Sequence, residues 1–173
     1  ECVTINRGTN WRKKTEIGKN CLIMAYCHIA HDCKVGDNSI FSNNSTLAGH
    51  VTVQDYVTLA GMVAVHQFCN IGRHAFIAGG SLVRKDIPPF VKAAREPLSY
   101  VGINSVGLRR RGFDSKTIKD IQNIYRILFQ KKYNNTQAIN IIEAEVEATK
   151  DRDEILMFIK NSQRGIMKGY IQN

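Results

Sequence analysis

Hydrophobic side chains recur at every sixth position of the chain between residues 17 and 83, without a break. The residues of this first column are Ile17, Ile23, Ile29, Val35, Phe41, Leu47, Val53, Leu59, Val65, Ile71, Ile77 and Val83. An α-helix needs a period of about 3.6 and a hairpin sheet a period of about 2, so neither element fits. An unbroken period of six predicts a parallel β-helix of hexapeptides, with three short strands per coil.

A second column, at the fifth position of each hexad, carries small or medium side chains and is also expected to point inward. Cys21, Cys27, Cys33 and Cys69 belong to it. Their spacing does not match the close spacing of zinc ligands, so core filling explains them better than metal or redox chemistry. Twelve hexads give four coils and a prism about 19 Å tall, at about 4.8 Å per coil.

Both ends of the repeat are visible in the sequence. Pro88-Pro89 is predicted to end it, because proline removes backbone donors. Residues 1–6 are predicted to form one more strand, and residues 7–16 a loop that leaves the prism. The chain is therefore expected to start in the middle of a solenoid whose earlier coils lie outside it.

The pattern becomes helical after residue 112. We expect one helix from Asp114 or Ser115 to about Lys132, a second to about Lys150, and a third from Asp151. The predicted organisation is a β-helix over 1–89, a connecting loop over 90–112 and a helical domain over 113–173.

The charge of the chain favours an anionic partner. Lys and Arg number 24 against 15 Asp and Glu, a net charge of +9. Arg109-Arg110-Arg111 is the densest positive segment, and it suits a nucleotide diphosphate better than a polynucleotide, because no nucleic-acid-binding motif accompanies it. No apolar run is long enough to span a membrane, and no secretory signal is found. The odd number of cysteines favours reduced thiols in a cytoplasm.

The histidines gather along one side of the predicted prism. His31, Gly49 and Gln67 occupy the same position in three successive coils and should stack in one column. His28, His50 and His66 flank this column. Three interpretations remain open: an ordinary solvated surface, a zinc site, and a site of acyl transfer. The zinc interpretation lacks the H-x-x-x-x-H spacing of β-helical carbonic anhydrases.

Acyl transfer needs a base and an oxyanion donor close together. A neutral His31 can take a proton from a hydroxyl that attacks a thioester, and the N–H of Gly49 can stabilise the oxyanion. Asp32 either fixes the tautomer of the imidazole or is simply solvated. Direct contact between the neighbours His31 and Asp32 requires a turn.

Four segments carry a resemblance to a known family. These are residues 28–33 (HIAHDC), 47–51 (LAGHV), 64–68 (AVHQF) and 107–113 (GLRRRGF). They closely resemble the UDP-N-acetylglucosamine 3-O-acyltransferases of lipid A biosynthesis. The resemblance runs along essentially the whole chain, which corresponds to about the C-terminal two-thirds of a family member.

The resemblance implies a left-handed parallel β-helix followed by a small helical domain, and a homotrimer with active sites between adjacent prisms. It implies transfer of an (R)-3-hydroxyacyl chain from acyl carrier protein to the 3-hydroxyl of UDP-N-acetylglucosamine in a bacterial cytoplasm. No cofactor, metal or nucleic acid is expected, since the carrier's phosphopantetheine holds the acyl donor. The basic surface suits an acidic carrier protein.

The resemblance also assigns roles to individual residues. It implies that His31 is the general base, that Gly49 is the oxyanion donor, and that the acyl chain enters near His28. The further implied contacts are His50 and Gln67 with the sugar, His66, Asn104, Arg110 and Arg111 with the uridine and phosphates, and Gly79 with the distal acyl chain. A glycine at position 79 leaves room for a long chain.

The sequence departs from the family at Asn6, where relatives often have histidine, and at Val106, where some have glutamate. The coils that precede Glu1 in the family, with their contacts to sugar and carrier, lie outside this sequence. Two alternatives remain: the related UDP-3-O-acylglucosamine N-acyltransferase, and a noncatalytic β-helical binding or assembly module.

Overall fold

A computed structural model describes residues 1–131 and 133–169 of the chain. The strands are β1 (Thr4–Ile5), β2 (Glu16–Ile17), β3 (Leu22–Ile23), β4 (His28–Ile29), β5 (Lys34–Val35), β6 (Ile40–Phe41), β7 (Thr46–Leu47), β8 (Thr52–Val53), β9 (Thr58–Leu59), β10 (Ala64–Val65), β11 (Asn70–Ile71), β12 (Phe76–Ile77), β13 (Leu82–Val83), β14 (Val91–Ala94), β15 (Ser99–Ile103) and β16 (Lys168–Gly169). The helices are α1 (Ser105–Arg110), α2 (Ser115–Gln130), α3 (Asn135–Glu145) and α4 (Lys150–Asn161). None of the helices in the described ranges is long and apolar enough to cross a membrane.

The strands form three faces of a prism, as the hexad pattern predicts. Sheet A has the order β1-β4-β7-β10-β13, and sheet B the order β11-β8-β5-β2. Sheet C has the order β16-β15-β14-β12-β9-β6-β3. Paired strands within the repeat are separated by three hexads, as for Thr46 with Ala64 and Ala64 with Leu82. The predicted fold class, a parallel β-helix followed by helices, is confirmed.

The first pairing departs from this spacing. Thr4 of β1 pairs with His28 of β4, so the chain between them is longer by one hexad than in the regular coils. The extra length forms the loop between β1 and β2, as expected from residues 7–16. This loop therefore lies beside the coil that carries His31.

The inward columns form the core. Side chains of the first column are buried from Ile29 to Val83. In the fifth column, the thiol of Cys27 donates to the Ser42 carbonyl at 3.2 Å, and that of Cys33 to the Ala48 carbonyl at 3.1 Å. These thiols satisfy carbonyls inside the prism, which confirms that the cysteine column fills the core.

The corners of the prism share one backbone conformation. The fourth residue of each hexad, from Asn20 to His74, has a left-handed backbone with φ between 54° and 63°, and none of these residues is glycine. The residues are Asn20, Tyr26, Asp32, Asn38, Asn44, His50, Tyr56, Met62, Phe68 and His74. Asn, Asp and His adopt this region more readily than other non-glycine residues. Neighbouring side chains in a strand point to opposite faces of the sheet, but the turn at such a corner can bring them together.

The prism does not end at Pro88-Pro89. Strand β14 continues sheet C, because Lys92 pairs with Phe76 and Ala93 with Ile77. The chain between these partners is shorter than three hexads. The last coil is therefore shortened, and its inward residues no longer fall at six-residue intervals. Residues 90–112 were expected to form a connecting loop; instead they contain β14, β15 and α1. This part of the prediction is wrong.

The three expected helices are α2, α3 and α4. Asp114 caps α2 by accepting from the Thr117 N–H, and Thr149 caps α4 by accepting from the Arg152 N–H. The second helix ends at Glu145 rather than near Lys150, which belongs to α4. Helix α2 ends at Gln130, and the predicted end at Lys132 lies outside the described residues, as does the end of the predicted domain, 170–173.

Two contacts dock the helices on the prism. The hydroxyl of Tyr125 in α2 is buried and donates to the Pro89 carbonyl at 2.6 Å. The guanidinium of Arg73 binds Asp151 at 2.6 Å and Glu154 at 2.5 Å, both on α4. The helical region is therefore anchored to the last coils.

Candidate active site

His31 and Asp32 contact each other at the corner between sheets A and B. His31 Nδ1 lies 2.8 Å from Asp32 Oδ2. The contact between neighbours in sequence is possible because Asp32 is left-handed, with φ 59°. The carboxylate is 0% exposed, whereas the His31 side chain is 42% exposed. One end of the pair is thus buried and the other faces solvent.

The loop between β1 and β2 holds the Asp32 carboxylate. Asp32 Oδ1 accepts from the Thr9 N–H at 3.0 Å and the Arg12 N–H at 3.2 Å. Asp32 Oδ2 accepts from the Thr9 hydroxyl at 2.7 Å. Thr9 and Arg12 are not among the site residues predicted from the sequence. The signal that points to them is the interruption of the repeat immediately before the coil of His31.

These hydrogen bonds determine the charge of Asp32. Burial is the largest single influence and raises its pKa, but the bonds from Thr9, His31 and Arg12 together hold the pKa well below its usual range. An ionised carboxylate only accepts, so Nδ1 of His31 must donate to it. In the neutral imidazole, Nε2 then carries a free lone pair, as a general base requires.

Gly49 lies against the ring of His31, one coil further along. A Cβ at Gly49 would be 2.6 Å from Cε1 of His31 and 2.7 Å from Nε2. Its backbone is not left-handed, so glycine is required here for space and not for conformation. Within the described ranges, the N–H of Gly49 donates no hydrogen bond. A free N–H and a basic nitrogen thus share one small region.

Aromatic side chains surround this pair. The ring of His50 stacks on Phe68 with centroids 4.6 Å apart and meets the ring of His31 edge-on at 5.1 Å. Trp11, at the tip of the loop and 78% exposed, approaches His50 at 5.5 Å. Nε2 of His50 is 3.8 Å from Asp32 Oδ2. Since His50 and Phe68 occupy the same corner column as Asp32, their stacking follows from the three-hexad coil.

The same corner groups three side chains that could bind a metal ion. Ligand atoms of His31, Asp32 and His50 lie within 4.8 Å of one another, a grouping that resembles a metal site. However, Asp32 Oδ2 already accepts from both His31 Nδ1 and the Thr9 hydroxyl. A cation would have to displace a short hydrogen bond between two of its own ligands. The arrangement therefore favours a histidine–carboxylate pair that moves protons.

Other predicted site residues lie near this corner. His28 is on β4 of sheet A, and its Nδ1 is 2.7 Å from the Thr4 hydroxyl. His66 and Gln67 lie at the same corner one coil beyond Gly49, and Nδ1 of His66 is 3.2 Å from the Gln67 carbonyl. His28, His31, His50, His66, Gly49 and Gln67 therefore share one edge of the prism, as the column spacing predicts.

Of the residues expected to bind the nucleotide, His66 lies at the His31 corner, whereas Asn104, Arg110 and Arg111 lie at a different corner, between sheets B and C. Asn104 Nδ2 donates to the His74 carbonyl at 2.9 Å, and Asn104 Oδ1 caps α1 by accepting from Gly107 N–H. Arg110 ends α1, and the guanidinium of Arg111 lies 4.5 Å from the ring centroid of Tyr56. One chain therefore does not bring this group to His31.

Gly79 and His74 lie away from the His31 corner. Gly79 lies at the third corner, between sheets C and A, where a Cβ would be 3.1 Å from the Gly61 carbonyl. His74 stacks on Tyr56 at 4.8 Å, and its Nδ1 is buried without a partner in the described residues. Burial, with Arg73 and Arg111 nearby, lowers its pKa to about 4. The packing of His74 between aromatic rings gives it a structural role at the corner between sheets B and C.

A hexapeptide β-helix with a histidine–carboxylate pair at one corner is the arrangement expected of a hexapeptide-repeat transferase, and sequence comparison supports this class. The sequence model of the bacterial transferase hexapeptide (six repeats) matches residues 14–49. That of UDP-N-acetylglucosamine O-acyltransferase, domain 2, matches residues 86–167. The chain belongs to the UDP-N-acetylglucosamine O-acyltransferase family, as the following relatives show.

An acyl-[acyl-carrier-protein]–UDP-N-acetylglucosamine O-acyltransferase from Halorhodospira halophila is 44% identical over 97% of this chain. One from Herminiimonas arsenicoxydans is 46% identical, also over 97%. The chain spans 66% of the length of both relatives. The acyltransferase structure from Bacteroides fragilis 9343 has a TM-score of 0.94 at 44% identity, over 97% of this chain and 66% of that one. The UDP-N-acetylglucosamine acyltransferase structure from Campylobacter jejuni has a TM-score of 0.88 at 35% identity, and the match covers 98% of this chain and 68% of that one.

Proposed function

We propose that this chain transfers an (R)-3-hydroxyacyl group from acyl carrier protein to the 3-hydroxyl of UDP-N-acetylglucosamine, the first step of lipid A biosynthesis. The names of the relatives state this class of donor and acceptor. One observation carries the proposal: an ionised, buried Asp32 directs the proton of His31 to Nδ1 and leaves Nε2 basic beside the free N–H of Gly49. The O-acyltransferase names argue against the related N-acyltransferase.

The reaction proceeds in two proton transfers. Nε2 of His31 takes the proton of the 3-hydroxyl as its oxygen attacks the thioester carbonyl, and Asp32 stabilises the imidazolium that forms. The N–H of Gly49 donates to the tetrahedral oxyanion. The intermediate then collapses, the C–S bond breaks, and the imidazolium returns its proton to the departing phosphopantetheine thiolate. A general base contributes about 10²–10⁴-fold and an oxyanion donor about 10²–10³-fold.

The proposed site is completed by a second copy of the chain. Asn104, Arg110 and Arg111 lie at a different corner from His31, so a neighbouring copy must bring them to it. A closed threefold ring with a site at each interface satisfies this requirement. Arg110 and Arg111 then bind the diphosphate, His66 and Asn104 the uridine side, and His50 and Gln67 the sugar.

The donor is bound along the same interface. We place the acyl chain past His28 and toward Gly79, where the absence of a side chain admits a long chain. Phosphopantetheine arrives on the carrier protein, so the enzyme holds no cofactor of its own. The net charge of +9 favours encounter with an acidic carrier protein in the cytoplasm.

The test is mass spectrometry of the products formed from (R)-3-hydroxyacyl carrier proteins of several lengths and UDP-N-acetylglucosamine. We expect an O-acylated sugar nucleotide, lost in His31→Ala and unaffected by EDTA. The Halorhodospira halophila relative serves as the positive control, and circular dichroism checks the fold of the variant. Absence of product where the relative is active would overturn the proposal, and loss of product in EDTA would favour the metal site. A noncatalytic module would form no product either in the parent chain or in His31→Ala.

A further inference from the structure

We propose that Thr9 and Arg12, in the loop between β1 and β2, are positioning residues that set the tautomer of His31 through Asp32. This inference rests on the proposed function, because it assigns the loop a part in activating the same base. The hydrogen bonds that these two residues make to the catalytic corner all go to Asp32. The hydrogen bonds of Thr9 and Arg12 can therefore influence His31 only through Asp32.

The hydrogen bonds of the carboxylate are fully assigned. An ionised carboxylate has about four lone-pair sites. Oδ1 accepts from the N–H groups of Thr9 and Arg12, and Oδ2 accepts from the Thr9 hydroxyl and from His31 Nδ1. The loop fills three of these sites and leaves only the fourth for His31. The carboxylate plane cannot rotate without breaking bonds to the loop, so the direction of the Nδ1–H bond is fixed.

The Thr9 hydroxyl is itself oriented. It accepts from the Trp11 N–H at 3.3 Å while it lies 2.7 Å from Asp32 Oδ2. Its proton is therefore directed to the carboxylate and not to solvent. A methyl group in the same place cannot replace it. Valine is the matched substitution, because it keeps the shape of threonine and removes only the donor.

Two further hydrogen bonds tie the loop to the backbone of Asp32 at the catalytic corner. The guanidinium of Arg12 donates to the Asp32 carbonyl at 3.0 Å, and the Asp32 N–H donates to the Thr15 hydroxyl at 2.9 Å. The loop also closes on itself, because the Lys13 N–H donates to the Thr9 carbonyl at 2.7 Å. Gly8 allows this closure, since a Cβ there would collide with the backbone of Lys13 and Lys14.

A purely structural role would be an anchor for the loop, with no effect on His31. The two roles differ in the protonation of the imidazole. Asp32 holds the proton on Nδ1, whereas a free neutral imidazole in water prefers Nε2. Weakening the loop's hold on Asp32 should therefore raise the Nε2–H population. This population is measured by ¹⁵N NMR of His31 without any substrate.

The test compares Thr9→Val, Thr9→Ser and Asp32→Asn, with Thr136→Val on α3 as the matched control. Thr136 is exposed and lies in the helical region. We expect Thr9→Val to raise the Nε2–H fraction and to lower kcat about 10–100-fold, the range seen for partners that orient a metal-bound histidine. KM should change less than about threefold, since uniform binding is untouched. Thr9→Ser and Thr136→Val should match the parent, and Asp32→Asn should show the largest change, up to about 10⁴-fold.

Gly8→Ala provides a second perturbation that leaves the Thr9 side chain in place. It should raise the Nε2–H fraction in the same direction. An unchanged tautomer in both Thr9→Val and Gly8→Ala would overturn the proposal, as would a fall in kcat without a tautomer shift. If the parent chain proves inactive but the tautomer shifts, the positioning role stands and the proposed function fails.

Discussion

Replacing Gly49 by alanine tests the idea that His31 works only when its ring lies against this backbone. The added methyl group would be 2.6 Å from Cε1 and 2.7 Å from Nε2 of His31. Alanine keeps the backbone N–H, so the proposed oxyanion donor is retained. The substitution therefore isolates the position of the imidazole.

The size of the effect follows from the displacement. Ordinary contact begins at 3.4 Å, so the ring must retreat by about 0.8 Å. The Cβ would also lie 3.2 Å from Nδ1, and these three distances place it over the face of the ring, so the retreat carries Nε2 away from its place beside the Gly49 backbone. A misplacement of about 1 Å costs about 100-fold in rate. We expect Gly49→Ala to lower kcat by about that factor.

Stability should change little, because His31 is 42% exposed and its ring can move into solvent. We expect a loss of no more than about 1 kcal/mol in the free energy of unfolding. Steady-state kinetics and urea denaturation measure the two quantities. Gly61→Ala is the control for stability and for the NMR signals of His31, since its Cβ would meet only the Asn43 carbonyl at 3.5 Å. Full kcat in Gly49→Ala, or an unmoved His31 signal, would refute the reasoning.

Three further predictions concern the scaffold. The pKa of His74 is lowered from 6.5 to about 4, so the unfolded chain takes up a proton between pH 6.5 and 4 that the folded chain does not. We therefore expect the free energy of unfolding to fall by about 3 kcal/mol on acidification through this window. In urea titrations, His74→Phe should show a shallower pH dependence of stability than the parent chain. An equally steep dependence in His74→Phe would contradict this assignment. Arg73→Ala should lower the free energy of unfolding by about 2 kcal/mol and speed hydrogen exchange in α4, because it removes the ion pairs to Asp151 and Glu154. Unchanged exchange in α4 would argue against the docking role of Arg73. A thiol reagent should label the exposed Cys2 at once and should reach the buried Cys27, Cys33 and Cys69 only on unfolding, since burial shields all three and raises the pKa of the last two. Rapid labelling of all five would show that the prism opens.

The periodic parts of the fold were predictable because burial in a solenoid repeats with the coil. The inward columns, the stacking of His31, Gly49 and Gln67, and the loop at residues 7–16 all follow from counting. The contact between His31 and Asp32 was left open, because it depends on a left-handed residue that strand alternation does not predict. It proved to be present. The catalytic and binding roles of these residues stay predictions.

Other features depend on contacts that no period encodes. Strand β14 was missed because its coil contains two prolines and is shorter than the others, which shifts its register. The hydrogen bonds from Thr9 and Arg12 to Asp32 were not predicted, because the loop has no repeat of its own. The position of the loop is set by the pairing of β1 with β4. The separation of Arg110 and Arg111 from His31 depends on which corner α1 meets, which spacing along the chain does not reveal.

The left-handed corners affect how this protein tolerates mutation. Residues that carry the fold point into the prism, whereas Asp32, His50 and Phe68 occupy a corner column that the core does not need. A substitution at a corner is felt by the side chains one coil above and below, about 4.8 Å away, and little further. Substrate preference can therefore drift one corner at a time while the folding pattern is left intact. The corners also carry backbone strain, as at Phe68, where asparagine or glycine would adopt the left-handed conformation more readily.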